Sequence, residues 1–378
     1  MRQSKRPNVR PGGAGRRATL RFARNLFAAI LLIGGGPSFF TGNAAPLAAA
    51  QSPLLSAKLK KFEKTEIHMG SPFTLVFYSD DENLANRAQQ RAFERIAQLD
   101  KVLSDYDLES ETSRLCAAAP HAAPVRLSSD LCDALALSDK FSKATGGAFD
   151  VTVGPLTRLW RRARRQKELP PADQLEAARR LVGMEQLRLD VAHQTVQISR
   201  AGVRLDFGGI GQGIAADEVM KIMSEMGLTR CLINASGDVV AQDPPPGEEG
   251  WKVALVGLQP KSEPPRRFIL LRNAAVTTSG DAFQSVEIEG KRYSHIVDPK
   301  TGLGVQRRIS ATVIAPTGAA ADAWATALSI LPTEEGLALL AREQPGGQAL
   351  VIEMRGEAVS TTASAGFPER HLISPVKK

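Results

Sequence analysis

The sequence predicts a fold that mixes helices with strands, and three observations indicate it. Apolar residues alternate across 59–78 on either side of a turn at 70–72, which is the pattern of two paired strands. The segment 83–103 then has apolar residues at helical spacing, with polar residues opposite. Further along, a strand-like run at 203–207 leads through a glycine-rich loop into a helix and a strand at 231–234. Strands and amphipathic helices therefore follow one another in a single chain.

The remaining segments continue this mixture. A helix over 130–144 ends at the glycine pair 146–147, because glycine accepts the positive φ that terminates a helix. The basic run 158–167 is most simply the solvated face of another helix. A helix over 319–331 is rich in Ala and Leu and ends before Pro332. Short apolar runs predict strands at 187–189, 195–198, 251–256, 268–271 and 349–354.

Charge is distributed unevenly along the 378 residues. The formal net charge is +8, and residues 1–50 hold eight Arg or Lys and no acidic residue. The rest of the chain therefore has no formal net charge. The apolar content of the whole chain, 43%, is typical of a globular protein. Nucleic-acid binding is excluded, since phosphate contacts require a basic surface that the folded part would retain.

The first 50 residues have the layout of a secretory signal. A basic region is followed by an apolar run at 26–33 and a stretch of small residues at 43–50. The apolar run is shorter than the roughly 20 residues that span a bilayer. We expect an export leader at 1–50, a linker at 51–66 and one domain over 67–378. The protein would then act in the periplasm or at the outer face of the cytoplasmic membrane.

Two features of the leader leave alternatives open. Arg16 and Arg17 partly match a twin-arginine signal, but Thr19 stands where a hydrophobic residue is preferred, so the export route is undecided. Cleavage near Ala45 or Ala50 is favoured over an uncleaved amphipathic anchor.

The three cysteines have no CxxC spacing, and the five histidines are scattered singly. A disulfide between Cys116 and Cys132 is one option in an exported protein. Buried free cysteines are the favoured interpretation, and a zinc site has no support.

Asp322 and Thr326 are the leading candidates for a metal site. They lie four residues apart on the predicted helix at 319–331, so their oxygens lie on the same face. Mg²⁺ prefers oxygen ligands and leaves room for water and phosphate. The alternative is that Asp322 only caps the helix and that Thr326 is incidental.

The glycine-rich loop that begins after Asp206 is a candidate ligand site. Its glycines read GGxGxG, so the GxGxxG fingerprint of dinucleotide binding fails in detail. A loop without side chains at a helix start still exposes backbone N–H groups to a phosphorylated ligand. Tyr106 lies in a polar loop where a planar ligand could stack, and the carboxylate of Asp150 needs donors from backbone or ligand.

These segments resemble, in this order, the motifs of the ApbE family of flavin transferases. The resemblance runs from about residue 67 to the C-terminus. The matching segments are MGS at 69–71, SDYD at 104–107, GGAFD at 146–150, GPL at 154–156, DFGGIGQG at 206–213, NASGD at 234–238, TSG at 278–280, HIVDPKTG at 295–302 and ADAWAT at 321–326.

Several positions depart from the family pattern. Gln212 stands where Lys is common and Glu also occurs, so a charge near phosphate is absent. Gly211 replaces Ala but keeps its carbonyl, Ala235 and Ser236 replace two glycines, and Asp105 replaces Thr. These changes affect the expected ligand geometry more than the expected reaction.

The resemblance implies an α+β fold of two lobes, with mixed or antiparallel sheets flanked by helices and FAD in the cleft between the lobes. It implies flavin or adenosine contacts from Met69, Tyr106, Ala148, Phe149 and Asp150, and a lining of Gly208, Gln212, Ile214 and Ile296. It also implies Mg²⁺ ligands in the carbonyl of Gly211, the carboxylate of Asp322 and the hydroxyl of Thr326.

The implied reaction transfers FMN from FAD to a Ser or Thr hydroxyl of an acceptor flavoprotein and releases AMP. The acceptor would be an exported or membrane redox subunit. His295 is the residue type suited to accept the hydroxyl proton, unless it is a buried histidine bonded to the turn at Asp298. Two other functions stay open: Mg²⁺-dependent hydrolysis of FAD to FMN and AMP, and non-catalytic flavin binding by an exported protein.

Overall fold

The computed structural model describes residues 59–255, 257–258, 267–280, 285–368 and 370–371. The expected leader at 1–50 and the first part of the expected linker at 51–66 lie outside the described residues. None of the helices described is both long enough and apolar enough to cross a membrane.

The secondary structure comprises sixteen strands and eight α-helices within the described residues. The helices are α1 (Glu82–Leu103), α2 (Glu111–Ala117), α3 (Ser129–Ala144), α4 (Gly154–Gln166), α5 (Ala172–Arg179), α6 (Gly211–Glu225), α7 (Gly318–Ile330) and α8 (Thr333–Glu343). The strands are β1 (Lys60–His68), β2 (Ser71–Ser79), β3 (Val125–Arg126), β4 (Leu187–Asp190), β5 (Thr195–Ile198), β6 (Cys231–Ala235), β7 (Asp238–Ala241), β8 (Trp251–Leu255), β9 (Arg267–Leu271), β10 (Ala274–Gly280), β11 (Ser285–Ile288), β12 (Lys291–Ser294), β13 (Arg308–Ala315), β14 (Gln348–Arg355), β15 (Ala358–Ala363) and β16 (Arg370–His371).

An eight-stranded sheet in the order β1-β2-β6-β7-β10-β13-β14-β15 is the framework, and all its neighbouring strands are antiparallel. The β1–β2 hairpin turns at Met69 and Gly70, with φ angles of 49° and 71°. The turn therefore lies one residue earlier than the expected 70–72, and Pro72 belongs to β2. Proline is tolerated there because the pairing of β2 with β6 begins only at Phe73.

Alternation along β2 explains how the sheet is covered on both faces. Phe73, Leu75 and Phe77 are buried against a core that includes residues of α1, α6 and α7. Val76 points to the other face and joins a second core with apolar residues of β8 and β9. These layers confirm the expected α+β class, with helices flanking antiparallel sheets.

A smaller third core joins α4 and α5 to the β11–β12 hairpin. Trp160 of α4 is 1% exposed, and its ring centroid lies 4.9 Å from that of Tyr293 on β12. Its indole Nε1 donates a hydrogen bond of 2.7 Å to the carbonyl of Gly302. The loop that follows β12 is thereby held against α4.

The expected strand at 203–207 is wrong. Val203, Leu205 and Phe207 are buried in alternation, as in a strand, but the segment belongs to no sheet. The Asp206 N–H donates a hydrogen bond of 2.7 Å to the carbonyl of Val151. Val151 lies in a 3₁₀ turn and not in a strand. An extended segment buried against helices has the same alternation as a strand, so the pattern alone does not separate them.

The three cysteines are buried and free, which confirms the favoured interpretation.

Helices α6 and α7 cross in backbone contact. A β-carbon on Gly213 would lie 2.4 Å from the carbonyl oxygen of Gly318, and one on Gly318 would lie 2.7 Å from the carbonyl oxygen of Gly213. Asp217 of α6 accepts hydrogen bonds from the N–H groups of Gly318 at 2.6 Å and Ala319 at 3.0 Å. These bonds satisfy free donors at the start of α7 and fix its position on α6.

We predict that Gly213→Ala lowers the free energy of unfolding by about 1–3 kcal/mol, the usual cost of overpacking. The added methyl group would overlap backbone atoms of α7, which cannot rotate away. Chemical denaturation followed by circular dichroism measures the change.

Gly211→Ala on the same helix is the matched control. Its β-carbon would lie 3.6 Å from the β-carbon of Phe207, which is an ordinary contact. We expect the stability of this variant to equal or slightly exceed that of the wild type, since alanine favours the helix. Equal stability of the two variants would contradict the close crossing.

Candidate functional site

A cavity of about 280 Å³ lies where α4, the segment before α6, the loop after β12 and α7 meet. Nine of the residues expected at the site line it together. They are Tyr106, Ala148, Phe149, Asp150, Gly208, His295, Ile296, Asp322 and Thr326.

A second cavity of about 700 Å³ adjoins the first and shares Asp105, Tyr106 and Gly208 with it. Met69, Gly211 and Gln212 line this second cavity. Ile214 is not among the residues that line either one; it packs against the main core. The structure therefore divides the expected residues between two neighbouring spaces, with the Tyr106 loop and Gly208 at their common wall.

Asp322 is buried on α7, with 5% of the residue exposed. Its Oδ2 has no hydrogen-bond partner within the described part of the chain. Burial raises the pKa of this carboxyl well above its usual value, and Asp238 and Asp217 raise it further, while the nearby amide of Gly213 lowers it. No cationic side chain among the described residues lowers the pKa of this carboxyl.

The glycine loop runs beside Asp322 and Thr326. A β-carbon at Gly209 would lie 2.8 Å from the Thr326 hydroxyl oxygen. The backbone amide of Gly213 lowers the pKa of Asp322 through a hydrogen bond. Gly211 lies between these two contacts along the chain. The loop can approach α7 this closely because it has no side chains in the way.

These residues fit a hard cation. An unpartnered buried carboxylate oxygen and a hydroxyl one helical turn away supply oxygen donors beside a backbone loop. No group of three or more His, Cys, Asp or Glu side chains among the described residues could hold a metal ion. The donor set thus suits Mg²⁺, which keeps waters and substrate oxygens in its shell, better than zinc.

The loop after β12 presents His295 to the same cavity. The Ser294 N–H donates 2.8 Å to the carbonyl of Val305, and the Val305 N–H donates 2.9 Å to that of Ile296, so the histidine lies between two anchored residues. Asp298 closes the following turn, with its carboxylate accepting from the Lys300 N–H at 2.9 Å. A backbone held at both sides gives the imidazole a defined position.

Asp150 shows how its segment reaches the cavity. Its Oδ1 accepts from the Thr152 N–H at 2.8 Å and from the Thr152 hydroxyl at 2.6 Å. The carboxylate therefore caps a 3₁₀ turn and receives the backbone donor that its position requires. Ala148 and Phe149, which precede Asp150 in the chain, also line the cavity.

Gln212 faces protein groups as well as the larger cavity. In the amide orientation that satisfies its neighbours, its nitrogen donates to Asp238 Oδ2 at 2.9 Å and to the Ala235 carbonyl at 3.1 Å. Its oxygen then accepts from the Ser71 hydroxyl at 3.1 Å. The side chain therefore connects α6 to two hairpin turns.

Sequence reasoning missed Arg161 and Arg164. They were expected on a solvated face of the helix, but they line the smaller cavity. Arg161 pairs with Asp105 and Asp206, and the Thr157 hydroxyl donates 2.7 Å to the same Asp206. Thr157, Arg161 and Arg164 recur at helical spacing, four and then three residues apart. That spacing indicated that the three residues share one face of the helix. The other cations of the basic run obscure it, because they lie on the remaining faces.

Comparison with known proteins places this fold and site in a family. The family model that matches residues 69–351 is described as the ApbE family. A curated relative from Salmonella typhimurium, named FAD:protein FMN transferase, is 29% identical over 304 residues, which cover 79% of this chain and 86% of that protein.

Two further relatives agree. The FAD:protein FMN transferase of Escherichia coli K12 is 30% identical over 273 residues, covering 71% of this chain and 77% of that protein. The structure of the flavin transferase ApbE from Vibrio cholerae shares the fold with a TM-score of 0.73 at 24% identity, covering 82% of this chain and 98% of that one. With its family motifs gathered around two adjoining cavities, the chain belongs to the ApbE family.

Proposed function

We propose that the protein transfers FMN from FAD to a Ser or Thr hydroxyl of an acceptor protein and releases AMP. The observation that carries this proposal is the buried, unpartnered carboxylate oxygen of Asp322, which lines one cavity with Thr326 and His295. The names of the relatives support the substrate and the transfer.

Asp322, Thr326 and the carbonyl of Gly211 would hold Mg²⁺. When bound, Mg²⁺ supplies positive charge that offsets the charge developing on the phosphates in the transition state. Gly211 is the first residue of α6, so its carbonyl also serves the first turn of that helix. The ion would need the second lone pair of this oxygen.

His295 would accept the proton of the acceptor hydroxyl as that oxygen attacks the phosphorus of the FMN half. The bond from this phosphorus to the bridging oxygen breaks, and AMP leaves with that oxygen. FMN is then joined to the acceptor by a phosphoester. Phe149 and Ile296, which line the cavity and are almost fully buried, would limit the access of water.

We also propose that the protein acts after export, on an exported or membrane redox subunit. The composition of residues 1–50 supports this proposal. Amino-terminal sequencing of the protein from fractionated cells tests it, and a full-length chain confined to the cytoplasm would contradict it.

Incubation with FAD, Mg²⁺ and an acceptor domain should produce an acceptor whose mass has increased by one FMN, with AMP released in equal amount. Intact-protein mass spectrometry and chromatography measure the two products. AMP release with no labelled acceptor would instead favour FAD hydrolysis. FAD that stays intact, with neither AMP nor labelled acceptor formed, would favour a flavin-binding protein without catalysis.

Asp322→Asn should abolish Mg²⁺-dependent AMP release without lowering the stability of the metal-free protein. The change removes a buried carboxyl whose ionised form is unfavourable beside Asp238, and it keeps the shape of the side chain. Thermal melting should show that Mg²⁺ raises the Tm of the wild type but not that of the variant.

Thr326→Ala should reduce the rise in Tm that Mg²⁺ causes. An undiminished rise in Tm in both variants would contradict the assignment of the ligands.

His295→Ala should lower the rate of FMN transfer by about 10²–10⁴-fold, the usual contribution of a general base. The affinity for FAD, measured by the quenching of flavin fluorescence, should change little. His193→Ala is the matched control, because His193 is exposed and pairs with its neighbour Asp190. Transfer at the wild-type rate by His295→Ala would assign the histidine to packing.

A further inference from the structure

Arg161 lines the smaller cavity and contacts Asp105 and Tyr106, two residues that both cavities share. Its Nη1 donates to the Asp105 carboxylate, and its Nη2 donates 2.7 Å to Asp206 Oδ2. Its guanidinium carbon also lies 4.2 Å from the centroid of the Tyr106 ring. A planar guanidinium can form ion pairs at its edge and stack through its face at the same time.

Asp206 carries this contact to the glycine loop. Its Oδ2 also accepts from the Thr157 hydroxyl, and its Oδ1 accepts from the Gly208 N–H at 2.9 Å. Tyr106 and Gly208 are two of the three residues that the cavities share. One side chain of α4 therefore joins both parts of the common wall.

The charges at this wall depend on Arg161. Burial raises the pKa of Asp105, and the charge of Asp206 raises it further, while the guanidinium lowers it. Without Arg161, two partly buried carboxylates would face each other with no cation between them, an arrangement that proteins seldom tolerate. The family pattern has threonine at position 105, where no such repulsion arises.

Tyr106 itself has little other support. The residue is 70% exposed, and its N–H makes a hydrogen bond of 3.3 Å to the hydroxyl of Ser104. The phenol ring is therefore oriented by its stacking on Arg161 more than by burial. A ring fixed in this way is ready to meet a planar group without first losing conformational freedom.

We propose that Arg161 is a positioning residue that holds the Tyr106 ring and the Gly208 segment in the arrangement that binds the flavin nucleotide. This inference rests on the proposed function, and it adds a residue outside the family motifs. A purely structural ion pair would stabilise the protein and leave the affinity for FAD unchanged. A positioning residue affects that affinity even when the charges are balanced by another change.

Four variants separate these roles: Arg161→Ala, Arg161→Lys, Asp105→Thr/Arg161→Ala and, as a control, Arg165→Ala on the exposed side of α4. KM for FAD and kcat are measured in the transfer assay. The dissociation constant for FAD is measured without acceptor by flavin fluorescence, and Tm reports folding.

We expect Arg161→Ala to raise KM and the dissociation constant for FAD by roughly tenfold, with kcat nearly unchanged, because uniform binding is lost. The double variant should recover the Tm of the wild type, since the carboxylate repulsion is gone, but keep the weakened FAD binding. Arg161→Lys should also keep the Tm of the wild type and show weakened FAD binding, because lysine retains the charge but not the planar group that stacks on Tyr106. Arg165→Ala should match the wild type.

Recovery of wild-type FAD affinity in the double variant or in Arg161→Lys would overturn the proposal and reduce Arg161 to a charge partner. A wild-type protein that binds FAD but transfers no FMN would overturn the proposed function instead. The binding constants would still decide the role of Arg161 in that case.

Discussion

The crossing of α6 and α7 in backbone contact is the constraint on which the site depends. Gly213 and Gly318 allow the approach, and Asp217 fixes it by binding two N–H groups at the start of α7. At this separation Asp322 and Thr326 lie against the glycine loop. A side chain at either glycine would move the donors of one helix away from the loop carried by the other.

This crossing also brings carboxyl groups together. Burial raises the pKa of Asp217 to about 6 and that of Asp238 to about 7, and Asp322 is shifted in the same direction. The amide of Gln212 relieves part of the cost by donating to Asp238, as a neutral group in a position where the family commonly has lysine. The remaining cost lies at Asp322, whose ionised form a nearby cation would stabilise.

Much of the fold and part of the candidate site could be predicted because the signals are local. The β1–β2 hairpin and α1 follow from periodicity, α7 follows from its composition and the proline after it, and the expected cavity residues follow from motifs. The segment 203–207 could not be assigned correctly, since alternation reports burial and not a partner strand. Arg161 was missed because a basic run looks solvated until Asp105 and Asp206, far away in sequence, are brought beside it. The division into two cavities likewise depends on distant contacts.

The Asp105–Arg161–Asp206 contacts restrict the order in which such a site can arise. From a chain with threonine at position 105, gaining the arginine first is tolerable, because it would already pair with Asp206. Gaining the aspartate first would place two carboxylates together without a cation. Once both are present, the arginine is difficult to lose, since its removal leaves that same repulsion behind. The guanidinium is therefore required by the two carboxylates that it pairs with, whatever its effect on the ligand.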